Sequence, residues 1–172
     1  EYNPEYILIT HLHPDHAFFV RHNGQCKTSA KIYAPGKYEG VKIHVTSQTF
    51  KINSYTVKPI PTIHSKKVVS NAYLIECGNK KILYTGDLIW IETKYHYLLK
   101  NIDLVITEAS FIRKGGMVRR DAQGTIYGHT GVPNLINLFK KCTNKIVFVH
   151  FGAWFYKDIK KARTQFKKFA KE

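Results

Sequence analysis

Residues 6–11, Tyr-Ile-Leu-Ile-Thr-His, set a pattern that recurs along the chain: a short apolar run stopping at a polar or ionisable side chain. Runs of this length are too short for a helix and read as strands buried on both faces. Residues 6–9 stop at Thr10-His11, 102–107 at Glu108 and 145–149 at His150, while 81–85 lead through Gly86 to Asp87. Residues 31–34 and 41–45 predict two further strands, and 55–63 alternate loosely before His64. Residues 72–77 and 81–85 flank Gly78-Asn79-Lys80 and predict a hairpin. Two stretches follow a helical period instead. One starts at Thr130 as cap, has Pro133 in its first turn and sets Val132, Leu135, Ile136 and Phe139 on one face. The other, from Asp158, sets Ile159, Ala162, Phe166 and Phe169 against Lys160, Lys161, Arg163, Lys167 and Lys168. Strands alternate with helices, which predicts an α/β domain. With no internal repeat or linker, residues 1–172 read as one unit.

Composition narrows this picture. A chain of 172 residues, 44% hydrophobic and 13% aromatic, has ample material for a core. No apolar stretch approaches the roughly 20 residues of a membrane span, and no secretory signal pattern is present, so no membrane association and a cytoplasmic location are expected. Cys26, Cys77 and Cys142 are widely spaced and form no CxxC pair, so they read as reduced core thiols. Lys and Arg outnumber Asp and Glu by 27 to 12, a net charge of +15 that favours polyanionic partners, nucleic acid among them, or simply a wet lysine surface.

Against this scarcity of acids, the segment His11-Leu12-His13-Pro14-Asp15-His16 stands out. Residues two apart on extended chain project to the same side, so His11 and His13 can reach one metal, while Asp15 and His16 turn past Pro14 towards a neighbouring position. A pair of ions needs further ligands, and His64, Asp87 and His150 are the candidates, each following a predicted strand. Imidazoles suit zinc and similar ions, and a carboxylate can bridge two of them. His22, His44 and His96 fall outside the series and read as surface residues; Trp90 and Trp154, each a few positions after a ligand, read first as core aromatics, with pocket lining as the alternative.

This ligand series resembles that of the metallo-β-lactamase fold hydrolases, in the family's order from about Tyr6 to His150. The resemblance implies an αβ/βα sandwich with two divalent ions at one sheet edge: zinc first, manganese or iron as alternatives. It further implies that His11, His13 and His64 hold one ion, Asp15, His16 and His150 the other, and that Asp87 bridges. Thr107-Glu108-Ala109-Ser110-Phe111 and Gly128-His129-Thr130 are similar to two loops of the ribonuclease Z and cyclic-phosphodiesterase branch. By that likeness Glu108 orients His129, which serves the leaving group, and Asp15 joins them as a catalytic residue. Thr107 stands where the branch has a histidine, Gly131 follows Thr130, Phe151-Gly152-Ala153-Trp154 departs from the Ser-x-Arg-Tyr after its last histidine, and no tRNA-holding arm is inserted. Few residues precede the first strand, so either the sequence is a fragment of a longer chain or the fold is trimmed at its front, and an incomplete sheet would expose an edge that invites a homodimer or instability.

The expected function is hydrolysis of a phosphodiester (cyclic nucleotide, cyclic phosphate, RNA or DNA) by attack of a metal-bound hydroxide. Between Glu108 and His129, Arg113, Lys114, Arg119 and Arg120 would form a glycine-flexed basic loop beside the site and bind the anionic substrate. His129 has another use open to it, a backbone bond at a helix start. The same ligands would also serve an ester, lactone, thioester or lactam hydrolase, or an idle site in a nucleic-acid-binding module.

Overall fold

The apolar runs pair into two sheets in the computed structural model of the protein, which describes residues 3–169. The strands are β1 (Tyr6–Leu8), β2 (Lys31–Ala34), β3 (Ile43–Val45), β4 (Phe50–Ile52), β5 (Tyr55–Pro61), β6 (Asn71–Cys77), β7 (Lys80–Tyr84), β8 (Leu104–Ala109), β9 (Met117–Arg120), β10 (Ile126–His129) and β11 (Ile146–Phe151). The helices are α1 (Phe18–Arg21), α2 (Val132–Phe139), α3 (Ala153–Lys157) and α4 (Ile159–Lys167), with a 3-10 helix at Thr93–Leu98. One sheet has the order β1-β2-β3, the other β11-β8-β7-β6-β5-β4, and β9 and β10 form a separate ribbon.

Strand β6 shows how the layers arise. Its side chains alternate, with Ala72 and Leu74 facing the cluster that contains Leu135 and Phe139 of α2. Tyr73 and Ile75 face Tyr6, Leu8 and Tyr33 of the other sheet. Behind the smaller sheet, Phe19 of α1 packs on Ile9, Ile32 and Ala34. Helix, sheet, sheet, helix is therefore the order of layers, an αβ/βα sandwich. The Tyr73 hydroxyl donates to the Ile9 carbonyl oxygen at 2.9 Å and ties the two sheets together. Pro59 and Pro61 are tolerated in β5 because β4 pairs only with residues 55–57, so their missing N–H groups break no ladder on that side.

Topology places the site. Strands β5 and β7 are each antiparallel to β6, and β8 and β11 run parallel to β7, so all four end at one edge of the large sheet. His11 leaves β1 at that edge, where it forms a bridge with Ser70. The Asn71 N–H donates to the Thr10 carbonyl oxygen at 2.9 Å and closes the seam.

Several boundaries differ from expectation. Glu108 lies inside β8, because pairing with β11 carries that strand on to Ala109. His150 lies inside β11, at a register shift where its φ of 51° turns the side chain out of the pleat. Gly131, not Thr130, is the N-cap of α2 and offers no side-chain cap. Residues 117–120 form a strand rather than a loop, since Met117 to Arg120 pair with His129 to Ile126. Asp158 does cap α4, accepting from the Lys161 N–H at 2.9 Å, but Ile159 and Phe169 of its apolar face stay well exposed. Among the described residues, no helix is long and apolar enough to cross a membrane.

Candidate metal centre

Asp87 is the hub. Gly86, at φ +59°, passes so close to Thr10 that a Cβ would stand 2.5 Å from its hydroxyl oxygen, and this tight turn projects Asp87 into the seam between the sheets. Its Oδ2 lies 3.8 Å from His11 Nε2, 3.2 Å from His16 Nε2, 3.9 Å from His64 Nε2 and 3.8 Å from His129 Nδ1. Its Oδ1 lies 3.3 Å from His150 Nδ1. Burial opposes the charge of Asp87, but the surrounding imidazoles outweigh it and hold the carboxyl well below the ordinary carboxylate range.

The histidines are oriented from behind. The His64 Nδ1–H donates to the Gly128 carbonyl oxygen at 2.9 Å, and the Gly128 N–H returns a bond to the His64 carbonyl oxygen at 2.7 Å. That fixes the tautomer and leaves Nε2 as a lone pair facing inward. His13 places Nε2 3.3 Å from the Ser65 hydroxyl and Nδ1 3.4 Å from His64 Nε2. His11 sets Nδ1 3.1 Å from the Thr10 hydroxyl and His150 sets Nδ1 3.1 Å from the Ser110 hydroxyl. Burial pushes His11 down to about 3, with the neighbouring His16 adding to it. Burial and mutual repulsion lower His13 as well, and burial lowers His64. These three rings are thus neutral donors at neutral pH, the form that binds metal. Burial also opposes a proton on His16, yet Asp87 beside it prevails and raises its pKa.

Beside the hub, Glu108 is buried and divides its carboxylate between two partners. Oε1 accepts from the Leu88 N–H at 2.7 Å and Oε2 from His129 Nδ1 at 2.8 Å. The carboxylate overcomes the burial of His129 and raises its pKa. With Nδ1 committed, Nε2 is the atom of His129 left for proton exchange. Glycines close the structure around this histidine: a Cβ on Gly116 or Gly128 would enter the backbone of the facing segment.

The donor set fits divalent cations. His11, His13 and His64 form one group of potential ligands, Asp15, His16 and His150 a second, and Asp87 joins His11 and His16 in a third, the donor atoms within each lying no more than 4.8 Å apart. His11 Nε2, His16 Nε2 and Asp87 Oδ1 are buried with no hydrogen-bond partner among the described residues. Each such orphan costs about 1–3 kcal/mol, and cations between them would satisfy all three at once. A cavity of about 300 Å³ opens over Asp15, His16, Asp87, Glu108 and His150.

All seven proposed ligands therefore converge, together with Glu108 and His129. The basic residues do not join them. Arg113 Nε donates to the Gly116 carbonyl oxygen at 3.0 Å and Arg120 Nη1 to that of Gly124 at 2.7 Å, folding both guanidiniums onto their own segment. Arg119 turns to Met117 Sδ, and neither it nor the exposed Lys114 lines the cavity. Thr107 takes no part either: buried, its hydroxyl accepts from Thr85 at 2.8 Å and braces adjacent strands. Trp90, expected in the core, is 41% exposed. Trp154 is half-buried against Phe151, Phe155 and Phe166, its indole N–H donating to the Ala109 carbonyl oxygen. Cys26 and Cys77 are half-buried and only Cys142 is in the core. His22 and His44 are exposed, and His96 is half-buried with Nε2 on the Ile91 carbonyl oxygen. The supporting hydroxyls of Thr10, Ser65 and Ser110 have only a weak sequence signal, adjacency to a ligand for Thr10 and Ser65 and none for Ser110.

Comparison with known proteins gives the same picture of the fold. Residues 3–151 match the profile of the beta-lactamase superfamily domain. Among solved structures, the metallo-beta-lactamase fold protein YhfI from Bacillus subtilis is 18% identical, with 95% of this chain and 70% of that one covered and a TM-score of 0.65. A diphosphatase of the PhnP family is 18% identical over 87% and 61% of the two chains, TM-score 0.63. The short form of human tRNase Z is 17% identical over 88% and 74%, TM-score 0.59. No curated protein matches by sequence.

Proposed function

This chain belongs to the beta-lactamase superfamily, and from that premise we propose that it is a two-metal hydrolase of phosphodiesters. His11, His13 and His64 would hold one ion, Asp15, His16 and His150 the other, with Asp87 between them. Bound divalent ions supply Lewis acidity towards phosphoryl oxygens and lower the pKa of water to near neutrality. Zinc suits the imidazole-rich set best, and manganese or iron is admitted by the carboxylates.

The observation that carries the choice of substrate is the Glu108–His129 pair at the edge of the ligand cluster. A departing alkoxide is a poor leaving group and needs a proton. His129, its pKa raised by a buried carboxylate 2.8 Å away, holds one ready at Nε2. Glu108 also anchors the Leu88 N–H, one residue beyond Asp87, so the same carboxylate sets the spacing between the proton donor and the hub. The fold likeness to a diphosphatase agrees with phosphate chemistry.

Purified, metal-loaded protein assayed on an unactivated phosphodiester with an alkoxide leaving group, such as a dinucleoside monophosphate, and on an ester and lactone panel tests the reading. Phosphodiester turnover that falls about 10²- to 10⁴-fold in His129→Ala, with metal content kept, is the expected result. Turnover of esters or lactones alone would replace the reading with a carboxyl-ester hydrolase. Salt-dependent nucleic-acid binding without any turnover would replace it with a binding module.

A further inference from the structure

A second groove, of about 530 Å³, lies on the far side of the β9–β10 ribbon and is lined by Trp90, His96, Val118, Asn134, Asn137 and Lys141 among others. Met117 is the register partner of His129, and Val118 points to the opposite face of the ribbon, so this groove is separate from the metal centre. Its volume lies within the roughly 300–1,000 Å³ of small-molecule sites.

The exposure of Trp90 is built in rather than a result of slack. The Ile63 N–H donates to the Trp90 carbonyl oxygen at 2.9 Å, and the Ile89 N–H to that of Ile63 at 2.6 Å, fixing the indole's backbone. His96, its ring tilted against Trp90 at 5.4 Å, spends Nε2 on the Ile91 carbonyl oxygen at 2.8 Å and keeps Nδ1 as an acceptor. Asn134 spends Oδ1 on the Gly115 N–H at 2.8 Å and keeps its amide N–H groups as donors. Asn137 follows one turn later on α2 and Lys141 lies just past the end of that helix, so two amides and an ammonium border the groove that Trp90 also lines.

We propose that this groove binds a nucleotide, its base stacked on Trp90 and read by the Asn134 and Asn137 amides, its phosphate turned to Lys141. An aromatic face, amide donors and an acceptor, and a cation bordering the same groove match a nucleobase carrying an anion. The inference stands apart from the hydrolytic reading, since no metal ligand enters it.

Equilibrium dialysis of metal-loaded protein with labelled adenosine 5′-monophosphate tests it without any turnover. Saturable binding is expected, weakened about tenfold or more in both Trp90→Leu and the solvent-exposed Asn137→Ala, the latter guarding against misfolding. Ribose 5-phosphate, which carries the anion but no base, should compete at least about tenfold less well. A short oligoadenylate in a parallel arm distinguishes a free nucleotide from a strand end, and tighter binding of either supports a base site. Absence of saturable binding, equal competition by ribose 5-phosphate, or full affinity in both variants overturns the proposal.

Discussion

Replacing Gly86 by alanine should damage the site more than its stability cost alone suggests. Gly86 has φ +59°, and a Cβ there would stand 2.5, 2.6 and 2.8 Å from Thr10 Oγ1, Cβ and Cγ2. Holding an L-residue in the left-handed region costs about 1–2 kcal/mol, and overfilling a packed site about 1–3 kcal/mol more. Thr10 is buried and its hydroxyl backs His11 Nδ1 at 3.1 Å, so it cannot swing away without freeing that ring. Gly86→Ala is therefore expected to lose about 2–5 kcal/mol in urea unfolding with chelator present, and to bind metal more weakly. Gly78→Ala is the control. Gly78 has φ +56° in the β6–β7 turn with nothing within 4 Å of an added Cβ, so only the backbone cost of about 1–2 kcal/mol applies and metal content should not change. Equal losses in the two variants, or full metal occupancy in Gly86→Ala, would refute the reasoning from close approach.

Other expectations follow from the same contacts. Glu108→Gln removes the charge that raises His129, so the alkaline limb of the pH–rate profile, where His129 must keep its proton, should move to lower pH; an unmoved limb would detach His129 from the leaving-group step. In chelator, burial keeps the pKa of His11, His13 and His64 below that of the unfolded chain, so protons bind preferentially to the unfolded state as pH drops below about 6.5. Their contribution is lost progressively through that window, which for His11 extends to about 3, while His16 and His129, with raised pKa values, act in the opposite sense; the decline in thermal stability should therefore be smaller in His11→Phe than in the wild type. Tyr73→Phe removes the hydroxyl that bridges the Ile9 carbonyl oxygen and Thr46, and should cost about 1–3 kcal/mol in denaturant titration while the variant still folds.

Legibility in the sequence followed how local each cause is. The ligands His11, Asp87 and His150 stand out because an apolar strand cannot end on an ionisable residue without putting it at the rim of a sheet, and parallel strands share one rim. The α2 face of Val132, Leu135 and Phe139 is equally local. The β9–β10 ribbon is not, because Met117–Arg120 lack a strand's alternation and are held by main-chain pairing with a segment whose Gly128 must admit Met117 without a Cβ. Arg113, in the turn before this ribbon, and Arg120, at the end of β9, each bond to their own backbone, so basic residues close in sequence to His129 stay out of its cavity. Glu108 reads as a strand end from its apolar prefix, yet β11 extends the pairing past it. The two-sided use of its carboxylate depends on Leu88 and His129 arriving from other parts of the chain, which no local pattern encodes.

Elemental analysis of protein reconstituted with zinc and then desalted tests the central claim most directly. Two ions per chain are expected, with Asp87→Ala retaining fewer, because Asp87 lies against donors of both ligand groups. A wild-type chain that emerges without bound metal, or an Asp87→Ala chain that binds as much as the wild type, would contradict it.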